Sequence, residues 1–155
     1  MPTTDTKTKG VLRLWLRLLS STALIEGQLK RLLRDEFDVT LAQFDLMAEL
    51  ERAGEPKTMT EISQMLMVSN GNVTGLVDRL SRDGLVERRP SATARRVYLL
   101  ALTPEGKARF RAMAKKHEEW LGDIFAEVDG PTIESLGETL KRTRDTLRLE
   151  RKEDL

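Results

Sequence analysis

Residues Thr58–Thr103 read TMTEISQMLMV (58–68), SNGNVTGLVDRLSRDGLVERR (69–89) and PSATARRVYLLALT (90–103), and the fold follows from how they are read. In the middle segment Val73, Leu76, Val77 and Leu80 recur at i, i+3, i+4 and i+7, which puts an apolar stripe along one helical face. The opposite face carries Asn70, Gly71, Thr74, Gly75 and Asp78, all short-chained or polar. A helix that is oily behind and short-chained in front can approach a broad polar surface closely, and the major groove of DNA is one such surface.

The flanks complete the unit. Thr60 is placed as the cap of a short preceding helix, Glu61 to Met67, with Ile62, Met65 and Leu66 facing inward. Ser69 caps the next helix after a turn of about two residues, so the two form a helix-turn-helix whose second helix reads. Gly84, after Ser-Arg-Asp, fits the left-handed position that ends a helix. LVERR and VYLLAL then supply two strands around a Pro90–Arg96 loop, a hairpin wing. Thr103 caps a further helix with Pro104 at its first position, where the missing N–H does no harm.

The rest of the chain is helical. A long pattern from Gly10 to about Arg34 holds Leu12, Trp15, Leu19, Leu29 and Leu33, and its start at Val11–Leu19 is apolar on more than one side. Such a helix is covered by several neighbours, a second subunit among them. Thr40 and Gln43 form a capping box, with Val39 stapled to Phe44, for a helix ending near Arg52. The fifth helix is expected to run to about Ala126. After Asp-Gly-Pro a sixth carries the seam Ile133, Leu136, Leu140, Thr143 and Leu147. The expected fold is mainly α with a small β-hairpin wing: a winged helix-turn-helix of four helices, two strands and two helices. Residues 1–155 form one domain, with a disordered tail at 1–9, a winged-helix lobe at 40–103, and dimerisation helices at 10–39 and 104–155.

Composition narrows the chemistry. The chain has 155 residues, 39% hydrophobic and 33% charged, enough apolar material for a core. There is no cysteine and one histidine, His117, so thiol chemistry, disulfides and a multi-histidine zinc site are excluded. No phosphate loop or catalytic constellation accompanies them, and an enzyme is not expected; no cofactor is called for. Arg13 and Arg17 interrupt the Val11–Leu19 run, which has neither the length of a membrane span nor the uninterrupted core of a signal peptide. A cytoplasmic, soluble protein without a membrane partner is the expectation. Basic and acidic residues nearly balance at 26 and 25, so affinity for nucleic acid has to be local. It is: between Asp78 and Arg96, six arginines (79, 82, 88, 89, 95, 96) face Asp78, Asp83 and Glu87, an excess of three positive charges.

Over roughly Thr40–Gly106, TLAQFDLMAEL, the helix-turn-helix and wing segment, and LLALTPEG, the chain resembles the MarR family of bacterial transcriptional regulators. The resemblance implies a winged-helix homodimer joined through its first, fifth and sixth helices, bound to a pseudo-palindromic double-stranded operator and, in many members, released by a small molecule. Read beside the residues themselves, Ser69 and Thr74 offer hydroxyls to phosphates, Asn70 and Asn72 approach base edges, and Thr60 is counted with them among the DNA-binding residues. Gly71 and Gly75 remove bulk, while Arg79, Arg88, Arg89, Arg95 and Arg96 supply the cationic edge. At the wing tip the family commonly has Asp before Arg-Arg; here Ala94 precedes Arg95 and Arg96, and the carboxylate that pins an arginine is missing.

For the effector, Trp15, Arg17, Ser21, Ile25, Phe44, Met47, His117 and Trp120 fall where the family arrangement puts a cavity. Arg17 can hold a ligand's carboxylate or make an intersubunit salt bridge. His117, in KKHEEW, also reads as a surface histidine. Family effectors include aromatic carboxylates and acyl-coenzyme A thioesters; for the latter Lys30, Arg31 and Arg34 are phosphate partners. The expected function is a ligand-responsive, homodimeric repressor, the alternative being a winged helix used for protein contacts alone.

Overall fold

The computed structural model describes residues 4–66 and 69–153. Six helices and three strands follow the order α1 (Thr4–Phe37), α2 (Leu41–Ala53), β1 (Lys57–Thr58), α3 (Met59–Leu66), α4 (Asn70–Arg82), β2 (Val86–Pro90), β3 (Tyr98–Leu102), α5 (Pro104–Ile124) and α6 (Gly130–Glu153). The chain divides into two compact units, residues 1–118 and 119–155. No helix among the described residues is long and apolar enough to cross a membrane.

The helix ends obey local chemistry. Thr40 Oγ1 accepts from the Gln43 amide at 3.1 Å and Gln43 Oε1 accepts from the Thr40 amide at 2.9 Å, the capping box read from the sequence. Val39 and Phe44, the expected staple pair, are both buried. The cap of α3 is shifted from the expected one: Thr58, not Thr60, exchanges hydrogen bonds with Glu61, at 2.7 and 3.1 Å. Thr58-x-x-Glu61 has the capping-box spacing, which Thr60 lacks. The expected end of this helix at Met67 lies outside the described residues. Helix α1 begins at Thr4, so residues 4–9 are helical where a disordered tail was expected. Once Val11–Leu19 is helical, extending the helix by a few more residues is far easier than starting one, even across Gly10.

The first unit is built on a core of Leu33, Leu46, Met47, Ile62, Val73, Val77, Leu80, Leu100 and Met113, drawn from α1, α2, α3, α4, β3 and α5. Val73, Val77 and Leu80 face inward as their spacing predicts, and Leu76 is partly covered. Met65, expected inside, is 39% exposed. The sheet has three antiparallel strands in the order β1-β3-β2, not the two expected: Lys57–Thr58 adds to the free edge of β3, and a two-residue strand leaves no period to detect. In the wing, Val86 pairs with Leu102 and Pro90 with Tyr98.

The Leu-Thr-Pro-Glu-Gly segment welds the wing to α5. Thr103 Oγ1 donates to the Gly84 carbonyl at 2.6 Å and accepts from the Gly106 amide at 2.9 Å. The Thr103 amide donates to the Leu85 carbonyl at 3.1 Å. Gly84 has φ +73°, the left-handed value expected of a residue that ends a helix. Gly106 is packed against the Leu85 carbonyl so closely that a Cβ would lie 1.9 Å from its oxygen.

In the second unit α6 is capped by Asp129, whose carboxylate accepts from the Thr132 amide at 2.7 Å and is held below the usual aspartate range by that bond. Ile133, Leu136, Leu140 and Leu147 are 48–61% exposed.

Candidate functional site

The outward face of α4 is set by the burial of its other face. With Val73, Val77 and Leu80 inside, Gly71, Asn72, Thr74, Gly75, Asp78 and Arg79 are exposed. Ser69 Oγ accepts from the Asn72 amide at 3.4 Å, so its hydroxyl caps the helix and stands at its N-terminus, where backbone N–H groups favour an anion. Asn70 is the first helical residue, and its side chain lies outside the described residues. A Cβ at Gly71 or Gly75 would meet nothing within 4 Å, so the protein's own packing requires neither glycine. Each costs roughly 1 kcal/mol relative to alanine in a helix, and their smallness shows only toward solvent. Thr60 is exposed in the first turn of α3.

The charges are distributed in a way the sequence does not reveal. Asp78 on α4 pairs with Arg88 on β2, clamping the wing to α4. Arg79 pairs with Asp83 at 3.4 Å, and Arg89 with Glu87 on the same strand. Each acid in the segment therefore occupies one arginine, and the excess charge resides on Arg82, Arg95 and Arg96. Arg82 Nε donates to the Asp78 carbonyl at 3.4 Å. Arg95 and Arg96, at the exposed wing tip, make no ion pair among the described residues.

The wing tip has an anchor that sequence reading missed. Ser91 Oγ accepts from the amides of Thr93 and Ala94 at 3.3 and 3.2 Å, and the Ser91 amide donates to the Val97 carbonyl at 2.9 Å. A serine hydroxyl bonding the backbone two and three residues on is a turn signal, visible in Pro-Ser-Ala-Thr. The loop is thus closed without a carboxylate at Ala94, and Arg96 adopts a left-handed φ of 62°.

The residues expected at an effector site separate into groups. Trp15, 56% exposed, and Arg17 and Ser21 lie on the open part of α1, with Ile25 half-buried one turn further. Arg17 makes no ion pair among the described residues. Phe44 and Met47 belong to the core, and Trp120, also buried, is in the second unit. His117 is not a plain surface histidine: its ring stacks on Phe44 at 4.8 Å between centroids, and Phe44 stacks on Phe110 at 5.5 Å. Burial lowers the His117 pKa, opposed by Asp45 and Glu118; burial raises that of Asp45, opposed by His117 and reinforced by Glu26.

The imidazole pKa has a consequence for stability. Because burial disfavours the imidazolium, the folded chain takes up this proton at lower pH than the unfolded chain, whose value is about 6.5. Its contribution is present above pH ~6.5 and is lost as pH falls through the folded value. Asp45, shifted upward, acts with the opposite sign at lower pH. As the chain has no other histidine, His117→Gln is expected to flatten stability between about pH 7.5 and 5.5 in urea melts. An unchanged slope in the variant would refute the assignment.

Comparison with known proteins fits this geometry. The MarR family model matches residues 37–97. The HTH-type regulator PecS of Dickeya dadantii is 31% identical over 93 residues, 59% of this chain and 56% of its own length. The chain thus spans little more than half of that curated relative. A MarR family transcriptional regulator from Silicibacter pomeroyi, known from its crystal structure, is 32% identical with a TM-score of 0.75, covering 91% of this chain and 97% of that one. The chain belongs to the MarR family. It is a transcriptional regulator and not an enzyme. A mutant MarR from E. coli, crystallised with operator DNA, is 25% identical with a TM-score of 0.70, over 82% of this chain and 93% of that one.

Proposed function

We propose that this MarR-family regulator is a homodimeric repressor that reads a pseudo-palindromic operator with α4 in the major groove and its wing against the adjacent backbone and minor groove. The observation that carries the reading is the placement of charge: the local acids occupy Arg79, Arg88 and Arg89, while Arg95 and Arg96 at the tip make no ion pair among the described residues. Arginines so placed suit the narrow minor groove, where negative potential is greatest, and release counterions on binding. Ser69, Thr74 and Thr60 serve phosphates, and Asn70 and Asn72 the base edges. Arg88 and Arg79 set the attitude of the wing and the end of α4 as well as adding charge.

Dimerisation is supported by what the single chain leaves uncovered. Val11, Leu12, Leu14, Trp15, Leu16 and Leu19 on α1 are 52–57% exposed, and α6 presents a second apolar seam. Isolated helices rarely keep such faces in water, whereas a partner subunit covers them and sets two reading helices about 34 Å apart. Release by a small aromatic carboxylate or its acyl-coenzyme A thioester completes the proposal. Arg17 and Ser21, one turn apart on α1, and the Phe44–His117 stack are the residues offered to it.

The test is binding of the purified protein to the DNA upstream of its own gene, followed by fluorescence anisotropy across salt concentrations. Sequence-selective binding that weakens steeply with salt is expected; binding that is absent, or indifferent to sequence and salt, would leave protein contacts as the role of the winged helix.

A further inference from the structure

The face of the wing turned toward α4 is a row of cross-strand pairs, Val86 with Leu102, Arg88 with Leu100 and Pro90 with Tyr98. Side chains two apart on a strand share a face, and this one is fixed twice over: Leu100 and Leu102 are buried, and Arg88 reaches Asp78 of α4. Tyr98 and Pro90 continue the row by roughly 7 Å, past the end of the core. There Tyr98 is 53% exposed, and its hydroxyl makes no hydrogen bond among the described residues. Along the wing it stands between the Asp78–Arg88 pair at the side of α4 and Arg95 and Arg96 at the tip.

We infer that Tyr98 is a DNA-contacting residue, its hydroxyl donating to a phosphate oxygen and its ring lying on the adjoining deoxyribose. The inference rests on the operator reading proposed above. With α4 in the major groove and the tip arginines in the adjacent minor groove, the surface between them crosses the sugar–phosphate strand that separates the two grooves. Tyr98 occupies that middle position. A phenol suits it on both counts, since the O–H is a donor for phosphate and the ring offers an apolar face to a sugar. The contact is neutral. It adds affinity without displacing counterions, so its loss weakens binding and leaves the salt dependence alone, the opposite of what Arg95 and Arg96 do. It fixes register and not base preference, because a phosphate carries no sequence information directly. The Asp78–Arg88 pair, one step closer to the core on the same face, ties this part of the wing to α4.

The experiment is anisotropy titration of the full chain, as wild type, Tyr98→Phe and Tyr98→Ala, against the upstream duplex and against copies carrying single methylphosphonates. Tyr98→Phe should bind about tenfold more weakly and Tyr98→Ala about a hundredfold, both with the wild-type salt slope. At one methylphosphonate position in each half-site the wild type should lose its advantage over Tyr98→Phe, because one accepting oxygen of that phosphate is then a methyl group. Phenylalanine keeps the ring, and an unchanged urea midpoint for that variant separates a lost contact from a lost fold. Tyr98→Phe binding as the wild type does, an advantage that survives at every position, or a salt slope that falls together with affinity would each overturn the inference. A wild type that binds no upstream duplex would overturn the operator reading along with it, whereas a wild type that binds and is indifferent to Tyr98→Phe overturns this inference alone.

Discussion

Replacing Arg95 and Arg96 together by alanine lowers operator affinity about a hundredfold at near-physiological salt and leaves the dimer intact. Two guanidiniums per protomer become four per dimer, and each phosphate charge neutralised adds about 0.9 to the slope of log affinity against log salt. The slope should therefore fall by roughly 3 to 4, and the binding curves of wild type and variant should converge as salt rises. Neither arginine makes an ion pair among the described residues, and the tip is held by Ser91, so the substitution removes charge without a structural partner. The left-handed φ of Arg96 is as unfavourable for alanine as for arginine, and the backbone has no new reason to move. Anisotropy titration gives the affinity and slope, and sedimentation the oligomeric state. Unchanged affinity would mean that the wing does not touch DNA.

Gly106→Ala is expected to destabilise the fold by about 1–3 kcal/mol, a large share of the 5–15 kcal/mol of a typical domain. The new Cβ would meet the Leu85 oxygen at 1.9 Å and its carbon at 2.9 Å. That carbonyl cannot yield cheaply: it accepts from the Thr103 amide and follows Gly84, itself held by the Thr103 hydroxyl. Overpacking of about 1–3 kcal/mol and a lost hydrogen bond of about 1 kcal/mol therefore add. Intrinsic helix propensity pulls the other way, since alanine is roughly 1 kcal/mol better than glycine. Gly75→Ala, whose Cβ meets nothing within 4 Å, is the matched comparison and should stabilise. Urea melts of both variants decide it, and a stabilised Gly106→Ala protein would show that the close approach does not exist.

The same contrast marks how far this chain can be read from its residues alone. The helices, the Thr40 box, the Ser69 cap, the turn at Gly84 and the inward stripe Val73–Val77–Leu80 all appear where the sequence puts them. Thr58-x-x-Glu61 and the hydroxyl of Ser91, three residues before Ala94, are signals of the same kind, each within about one turn of chain. Such features depend on neighbours no more than four residues away, and on the 3.6-residue period, so the string itself contains them.

Other features needed the folded chain. Asp78 and Arg88 are ten residues apart and meet because α4 ends at Gly84 and the strand turns back beside it. That meeting separates arginines that steer the wing from those free at its tip, which a count of charges cannot do. Phe44 and His117 stand 73 positions apart, and their stacking turned a histidine in a charged run into a half-buried one with a lowered pKa. A cavity beside the wing joins Leu50, Arg89, Leu102 and Arg111, from the four elements α2, β2, β3 and α5. In the Leu-Thr-Pro-Glu-Gly segment the threonine and proline announce a helix start by themselves, but the glycine is explained by a carbonyl 21 residues earlier. Caps and periodicity are settled by local sterics and hydrogen bonds, whereas ion pairs, stacking and close backbone contact depend on the distances between elements, which packing alone sets.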